Sequence, residues 1–392
     1  MDALYDEPGI RFITTRHEQG AAYMADGFSR AGGNPGTALV VPGPGLLNAS
    51  AGVGTAYSAS SPMLLISGQV ERDKIGQNHG ALHEVNDQMD VIKPVTKWAS
   101  RVLHASDIPD AVHHAFYQMA TGRPRPVEIE MPPDALEEEA DVKLLEPEKY
   151  ERQPAHPNAV RQMAELLVAA ENPVIWAGGG AIISDASTIL VKVAEHLQAP
   201  VVTTAEGKGV ISGRHPLSLG VPNYRRDSLD DIVDQSDVVL AVGTRMGRWV
   251  RLNANPRIVQ IDIDVGEIGQ VYPNTLAVEG DARRTLEALH GRLIKLGPAR
   301  PIRLEQVAAA RASRYDSSKH LQPQGEFVEA IRNAMPDDGI LIEGVTQIGY
   351  YCRTHFQVYE PRTYITSSYF GNLGYAYPIA LGAKVAQPEK AV

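Results

Sequence analysis

Short aliphatic runs alternate with helical stretches along the chain, and most of the runs end in a glycine or proline turn. In the first third, GIRFITT (9–15) leads to a helix that begins at His17 or Glu18. TALVVPGPG (37–45) leads to a small-residue helix, and PMLLISGQ (62–69) predicts the next strand. Strand, turn, helix and strand in this order predict βαβ units around a parallel sheet.

The same alternation continues through the rest of the sequence. Farther on, GEFVEAIRNAM (325–335) predicts a helix and GILIEG (339–344) a strand. The pattern predicts an α/β protein of consecutive parallel-sheet, Rossmann-like domains, in which ligands bind at the carboxyl ends of the strands. Four aliphatic runs predict the strands of the middle region: NPVIWAGGGA (172–181), APVVTTAEGKG (199–209), SDVVLAVGTRMG (236–247) and RIVQIDIDVGEIG (257–269).

Two breaks in this pattern divide the chain into three domains. Residues 134–156 are acidic, contain prolines and lack apolar periodicity. Residues 298–322 combine prolines with a short helical run and polar residues. We interpret both segments as linkers, because neither carries the pattern of a sheet. The predicted domains are 1–133, 157–297 and 323–392.

The composition narrows the classes of function. The chain has 392 residues, of which 43% are hydrophobic, so it can form domains with buried cores. Its formal net charge is -10 and it has no long Lys/Arg run, which argues against a nucleic-acid partner. No stretch is apolar for long enough to predict a membrane span. The single cysteine, Cys352, excludes a disulfide framework, and with no basic-then-apolar leader we expect a cytoplasmic protein.

The carboxyl ends of the first three predicted strands carry the candidate chemistry, namely Glu18, GPGLLN (43–48) and GQVERDKIGQNHGALHE (68–84). A glutamate in a first helical turn also has a purely structural explanation, since it complements the helix dipole. The glycines form neither a Walker loop nor a GxGxxG motif. His79 and His83 are four residues apart, but their order is not HExxH and no third ligand is evident, so we predict no protein-ligated metal.

Taken together, several stretches resemble a known family. RHEQGAAYMADGFSRAGGNPG (16–36), GPGLLNASAGVGTAYSASSPMLLISGQ (43–69) and YFGNLGYAYPIALGAKVAQPEKAV (369–392) are similar to thiamine-diphosphate-dependent enzymes of the acetolactate synthase type. Oxalyl-CoA decarboxylase, benzoylformate decarboxylase and benzaldehyde lyase belong to the same group. The resemblance covers nearly the whole chain and implies a pyrimidine-binding domain, a central Rossmann-like domain and the start of a diphosphate-binding domain.

The resemblance implies a cofactor site in the first domain. Glu18 matches the family glutamate that hydrogen-bonds the aminopyrimidine of thiamine diphosphate, which leads to a C2 carbanion and then an enamine. The small residues Ala21, Ala22 and Ala25 lead us to expect a desolvated carboxyl group with a raised pKa. Pro44 and Asn48 match residues that line the aminopyrimidine pocket, although an ordinary strand-to-helix turn also explains them.

Four residues of the last domain match further cofactor contacts. The carbonyl of Gly371 matches the acceptor of the 4′-amino group, and Leu373 matches the bulky residue that wedges the cofactor into a V shape. Core packing is the alternative for Leu373. Thr346 and Gln347 follow the strand GILIEG, where family members contact the diphosphate.

Three features depart from the family pattern. His83 replaces the glutamine that faces the reacting carbon in acetolactate synthases, and we expect it to act as a catalytic acid or base, with a neutral loop histidine as the alternative. AGGGA (177–181) and Arg245 could approach FAD or another nucleotide, but RMGRW (245–249) lacks the acidic pair that follows the arginine in flavin-binding members. A vestigial domain that supports the dimer explains these residues equally well. The resemblance implies that the first and last domains are incomplete and that the Mg²⁺ ligands lie beyond Val392.

The implied activity is that of an acetolactate synthase-like enzyme, a thiamine-diphosphate-dependent 2-oxo acid decarboxylase or carboligase. It would act on a small-molecule 2-oxo acid as a homodimer or homotetramer. A benzaldehyde lyase-like or oxalyl-CoA decarboxylase-like activity is an alternative. A dinucleotide-dependent oxidoreductase and a non-catalytic fragment or binding module of the same fold are alternatives from other classes.

Overall fold

Three parallel sheets follow one another along the chain. The computed structural model describes residues 2–247, 251–252, 255–302, 304–318 and 321–392. The predicted α/β class with consecutive parallel-sheet domains is confirmed. No helix within the described ranges is long and apolar enough to cross a membrane.

The first sheet has four strands in the order β1-β2-β4-β3. Leu64 and Leu65 are neighbours on β2 and point to opposite faces, where they join separate apolar clusters. The sheet is therefore buried on both faces, as parallel sheets usually are. Its elements are α1 (Asp2–Asp6), α2 (Glu18–Gly32), β1 (Gly36–Val40), α3 (Pro44–Ala59), β2 (Met63–Gly68), α4 (Gln88–Ile92), β3 (Trp98–Arg101), α5 (Ile108–Ala120), β4 (Val127–Met131) and α6 (Pro133–Leu136).

The central sheet has six strands in the order β10-β9-β8-β5-β6-β7. Val174 and Ile175 on β5 again point to opposite faces and join different clusters. Its elements are α7 (Pro157–Ala169), β5 (Pro173–Ala177), α8 (Gly179–Ile183), α9 (Ser187–Leu197), β6 (Val201–Thr203), β7 (Ser218–Gly220), α10 (Ser228–Asp234), β8 (Val238–Val242), β9 (Arg257–Asp262), β10 (Thr275–Glu279) and α11 (Ala282–Leu296).

A further helix, α12 (Glu305–Ser318), lies inside the segment 298–322 that we interpreted as a linker. Val307 and Ala310 of α12 are buried in one of the two apolar clusters of the central sheet. This part of the segment therefore packs as a layer of the central domain.

The third sheet is small, with two parallel strands. The run GILIEG (339–344) forms a strand only at its centre. The elements are α13 (Gln324–Ala334), β11 (Leu341–Ile342), α14 (Gln347–His355), β12 (Tyr364–Ile365) and α15 (Ala376–Ala386).

The predicted strand GIRFITT (9–15) is absent from the structure, and this prediction is wrong. Residues 11–15 belong to no helix or sheet, and Ile10 and Phe12 are exposed. A strand is stabilised by its neighbour's hydrogen bonds, and within the described residues no segment pairs with the outer edge of β1. The aliphatic pattern is therefore not sufficient to form a strand here.

Helices α2 and α15 cross in backbone contact. A Cβ at Gly27 would lie 2.1 Å from the carbonyl oxygen of Ile379, and a Cβ at Gly382 would lie 1.9 Å from that of Met24. Neither position has room for a side chain. This crossing joins the first domain to the third and buries Tyr23 beside Tyr375.

Arg30, near the end of α2, connects all three domains. Its guanidinium donates to the carboxylate of Glu206 in the central domain at 2.6 Å and to the carbonyl of Thr366 in the third domain at 2.5 Å. Lys208 adds a second link, because its buried side-chain amino group donates to the carbonyls of Cys352 and Arg353 at 2.8 and 3.0 Å. Burial lowers the pKa of Lys208 to about 7. The bonds of the Arg30 guanidinium are charge-assisted and therefore stronger than neutral ones.

The helix crossing leads to a stability prediction. Gly382→Ala should destabilise the protein by about 1–3 kcal/mol, because the added methyl group must push the backbone of α2 away. Gly291→Ala is the matched control: Gly291 lies in α11 with no atom within 4 Å of its Cβ position. There alanine should stabilise the helix by about 0.5–1 kcal/mol. Urea and thermal unfolding would measure both, and equal unfolding of Gly382→Ala and the unmodified protein would contradict the crossing.

Candidate active site

Glu18 lies in the first turn of α2. The imidazole of His17 caps the helix by accepting a hydrogen bond from the backbone N–H of Gln19 at 3.2 Å. Ala22 and Ala25 of the same helix are buried in the cluster that includes α3. Glu18 is partly exposed, where the N-terminal ends of α2 and α3 meet.

The glycines of the GPG turn bring α3 close to Glu18. Gly43 has φ 57° and ψ −110°, a conformation that favours glycine, and Pro44 then occupies the first position of α3. A Cβ at Gly43 would lie 2.3 Å from the carbonyl oxygen of His83, and a Cβ at Gly45 would lie 3.5 Å from Cγ of Glu18. Three loops thus meet at this point.

Asn48 binds the carboxylate directly. Its Nδ2 donates to Oε2 of Glu18 at 3.1 Å, and this hydrogen bond is exposed to solvent. The backbone N–H of Glu18 is the main cause that lowers the pKa of this carboxyl group, and the Asn48 amide is the second; burial opposes them. The expected raised pKa is wrong, because the alanines face α3 instead of enclosing the carboxyl group.

His83 lies in the loop that covers the GPG turn. Its φ of 65° is left-handed, which histidine adopts more readily than most residues, and its side chain is half-buried. Among the residues that the structure describes, its imidazole makes no hydrogen bond. The structure therefore brings His83 to the GPG turn through its backbone, and no bond joins its side chain to Glu18.

The turn Gly371–Leu373 docks on the same two helices. Between these predicted residues, Asn372 donates through Nδ2 to the hydroxyl of Tyr23 on α2 and accepts from Oγ1 of Thr55 on α3 at 3.1 Å. Gly371 has φ 65°, and no atom lies within 4 Å of its Cβ position. Leu373 is 72% exposed, so packing in the core of this chain does not explain it. Sequence reasoning missed Asn372, whose only signal is a polar residue between glycine-flanked positions.

Thr346 and Gln347 have local partners. The Thr346 hydroxyl caps α14 by accepting from the backbone N–H of Gly349 at 3.0 Å. The amide of Gln347 accepts from Gln324 at 2.8 Å. No hydrogen bond in the described part of the chain joins either residue to Glu18 or Gly371, and capping alone accounts for the threonine.

The profile of thiamine pyrophosphate enzymes matches the chain in three places, which together cover more than half of it. The N-terminal TPP binding domain matches residues 1–91, the central domain 160–289 and the C-terminal TPP binding domain 344–392. The chain belongs to the thiamine pyrophosphate enzyme family. The predicted resemblance is thereby confirmed, since thiamine pyrophosphate and thiamine diphosphate are the same compound.

Relatives in this family include two kinds of enzyme. The chain is 34% identical to a probable 2-ketoarginine decarboxylase of Pseudomonas aeruginosa, over 97% of this chain and 69% of the relative. It is 34% identical to a probable acetolactate synthase large subunit of Methanocaldococcus jannaschii, over 99% of this chain and 69% of the relative. It is 32% identical to the acetolactate synthase isozyme 3 large subunit of Escherichia coli, over 100% of this chain and 71% of the relative.

In the central domain, the glycine run at 178–180 lies where two loops pack against each other. The backbone N–H groups of Gly178 and Gly180 donate to the carbonyls of Val242 and Gly243 at 2.9 and 3.0 Å. A Cβ at Gly178 would lie 2.4 Å from the Gly243 oxygen. The Arg245 guanidinium stacks over the ring of Tyr369 at 4.4 Å. These contacts account for the glycines without a ligand, and FAD or another nucleotide stays a prediction.

Within the described ranges, no three His, Cys, Asp or Glu side chains are arranged to hold a metal ion. Mg²⁺, which the resemblance implies, stays a prediction.

The contact between Asn48 and Glu18 can be tested by titration. Asn48→Ala should raise the pKa of Glu18 toward its ordinary value of 4.5, because the carboxylate loses a hydrogen bond that stabilises its charged form. A lowered pKa means that ionised Glu18 stabilises the fold above pH 4.5, and this contribution is lost as the pH falls through the lowered value.

Carboxyl ¹³C NMR of glutamate-labelled protein would measure this pKa. Ser50→Ala is the control, since Ser50 lies on the same helix and its hydroxyl donates to the carbonyl of Leu47 at 2.7 Å. Unchanged titration in Asn48→Ala would show that the two side chains do not interact in solution.

Proposed function

We propose that the protein is a thiamine-diphosphate-dependent enzyme that decarboxylates a 2-oxo acid and, as a carboligase, joins the remaining fragment to an acceptor carbonyl. The observation that supports this most directly is the Glu18 carboxylate, held by Asn48 beside the GPG turn, in a chain of the thiamine pyrophosphate enzyme family. The relatives support the same two reaction types by their names.

The residues near Glu18 fit the aminopyrimidine of thiamine diphosphate. Asn48 engages Oε2 of Glu18, and no other side chain in the described ranges binds this carboxylate, so it can accept a proton shared with a ring nitrogen. The pKa of Glu18 is lowered from its ordinary value, so this carboxyl group would take up a proton as the cofactor binds, in order to share it with the ring nitrogen. Pro44 and Asn48 would line the edge of the ring.

The last domain would supply the other contacts. No atom lies within 4 Å of the Cβ position of Gly371, whose carbonyl would accept from the amino group, and the exposed side chain of Leu373 would support the bent cofactor. Thr346 and Gln347 would lie toward the diphosphate. When bound, thiamine diphosphate supplies the carbon nucleophile and the electron sink for loss of CO₂.

Exposed apolar side chains near the site support a homodimer or homotetramer. Leu373 is 72% exposed, and Leu47 of α3 is also exposed. Apolar groups beside a catalytic crevice are often covered by another chain. A second copy would remove them from water and exclude water from the chemistry at Glu18.

Replacing Glu18 tests the proposed function. With thiamine diphosphate bound, Glu18→Gln should slow exchange of the C2 proton of the cofactor by about 10²–10⁴-fold, because an amide cannot transfer a proton to the ring nitrogen as a carboxyl group can. NMR of quenched exchange samples would measure this rate, and calorimetry would show that the cofactor still binds. Glu305→Gln, which changes the first-turn glutamate of α12, is the control. Exchange at the unmodified rate in Glu18→Gln would remove Glu18 from this role.

His83 tests the choice of reaction. His83→Asn keeps a residue that tolerates the left-handed conformation but removes the acid or base. If His83 transfers a proton to or from the substrate, CO₂ release from 2-oxo acids should slow by about 10²-fold or more, with unchanged cofactor affinity. His79→Asn, an exposed histidine of the same loop region, is the control. Aldehyde among the products indicates decarboxylation, and acetolactate from pyruvate indicates the synthase reaction.

A further inference from the structure

A buried carboxylate lies on one face of the first sheet. Glu130 on β4 has no exposed surface, so its charge requires hydrogen-bond partners. It accepts from Nε2 of Gln69 at 2.9 Å, from Nε2 of Gln88 at 3.1 Å and from the guanidinium of Arg101. Its neighbour Glu128 is equally buried, and burial raises the pKa of Glu128 to about 8, so that group is protonated at neutral pH.

Gln88 uses both ends of its side-chain amide in this layer. It is fully buried, and its nitrogen donates to Glu130 and, at 3.0 Å, to the carbonyl of Gly68. Its oxygen accepts from the backbone N–H of Gly43. Only the nitrogen of the amide can donate to a carboxylate, so Glu130 fixes the orientation that points the oxygen at Gly43.

Gly43 connects this layer to the candidate active site. It precedes α3 and has no room for a side chain against His83. The position of Gly43 therefore sets where α3 begins, and Asn48 reaches Glu18 from the first turns of that helix. The path from the buried carboxylate to the site thus consists of two hydrogen bonds of Gln88 and one helix.

We propose that Gln88, oriented by the buried carboxylate of Glu130, is a positioning residue that fixes the Gly43 turn and thereby holds Asn48 against Glu18. Its importance for catalysis rests on the proposed function, whereas the positioning itself can be measured without cofactor. A residue that contributed only to stability would donate a hydrogen bond to Glu130 but make none to the Gly43 turn. Gln69 is such a residue, since its nitrogen donates to Glu130 and its oxygen accepts from the N–H of Val70.

Gln88→Met and Gln69→Met form a matched pair. Each replaces a buried glutamine with an apolar side chain of similar length and removes one donor from Glu130. In Gln88→Met the Gly43 amide loses its acceptor, and its hydrogen exchange should speed up by about tenfold, as expected for one lost hydrogen bond. The pKa of Glu18 should rise as Asn48 moves, and the affinity for thiamine diphosphate should fall by about tenfold.

Gln69→Met should lower the stability of the protein. It should leave the hydrogen exchange of Gly43, the pKa of Glu18 and the affinity for thiamine diphosphate unchanged. Exchange mass spectrometry of peptides that span residues 42–48, carboxyl NMR and calorimetry would measure them. Unchanged Gly43 exchange in Gln88→Met, or an equal change in Gln69→Met, would overturn the proposal.

A second variant tests how Glu130 orients the side chain at position 88, without placing an apolar side chain beside Glu130. Gln88→Glu keeps an oxygen for Gly43 but sets a second carboxyl group against Glu130, in a layer that also contains Glu128, Arg101 and Asp87. Protonated, the new carboxyl group can donate to Glu130 and restore the arrangement; ionised, it repels Glu130. Protection of Gly43, relative to the unmodified protein, should therefore be retained at acidic pH and lost at alkaline pH.

Protection that does not depend on pH in Gln88→Glu would contradict the orienting role of Glu130. Failure of the proposed function has a separate signature, namely unchanged C2 proton exchange in Glu18→Gln. The two hypotheses can thus fail independently.

Discussion

The backbone contact between α2 and α15 determines how the three domains are placed. Glycine at positions 27 and 382 lets the helices touch, and this contact places the turn that contains Asn372 on α2 and α3. It also brings Thr366 to Arg30, which then reaches Glu206 of the central domain. A shift between these two helices would alter the site and the domain junction together, because both lie on α2.

Glycines serve different purposes at the two strand ends that looked most alike in the sequence. In the first domain, Gly43 and Gly45 let three loops meet next to the solvent-exposed carboxylate of Glu18. In the central domain, the backbone N–H groups of Gly178 and Gly180 donate hydrogen bonds to the end of β8 and the loop after it, so the two loops lie in direct contact. A glycine run at a strand end therefore shows that backbones approach closely, and only the polar side chains nearby distinguish a site from a packed joint.

The sequence predicted the parts of the fold that depend on local patterns. Apolar runs such as VVLAV form β8 at the centre of a sheet, and the turn before Glu18 starts a helix where the pattern predicts it. The run at 9–15 failed because a strand requires a partner, which its own residues do not supply. Short strands such as Trp98–Arg101 were missed, since their residues carry no aliphatic run. Asn372 and Gln88 were missed because their partners are distant in sequence, and the pKa of Glu18 was misjudged because the neighbouring alanines face away from it.

The link from Arg30 to Thr366 spans 336 residues, and this separation has a consequence for protein synthesis. At about 5–20 residues per second, roughly 20–70 s pass between the appearance of the two partners on the ribosome. During that interval the face of α2 that later packs on α15, including Tyr23 and Ala31, has no cover from the third domain. During this interval the nascent chain thus presents an apolar helix face, a target for chaperones that bind such surfaces until α15 is made.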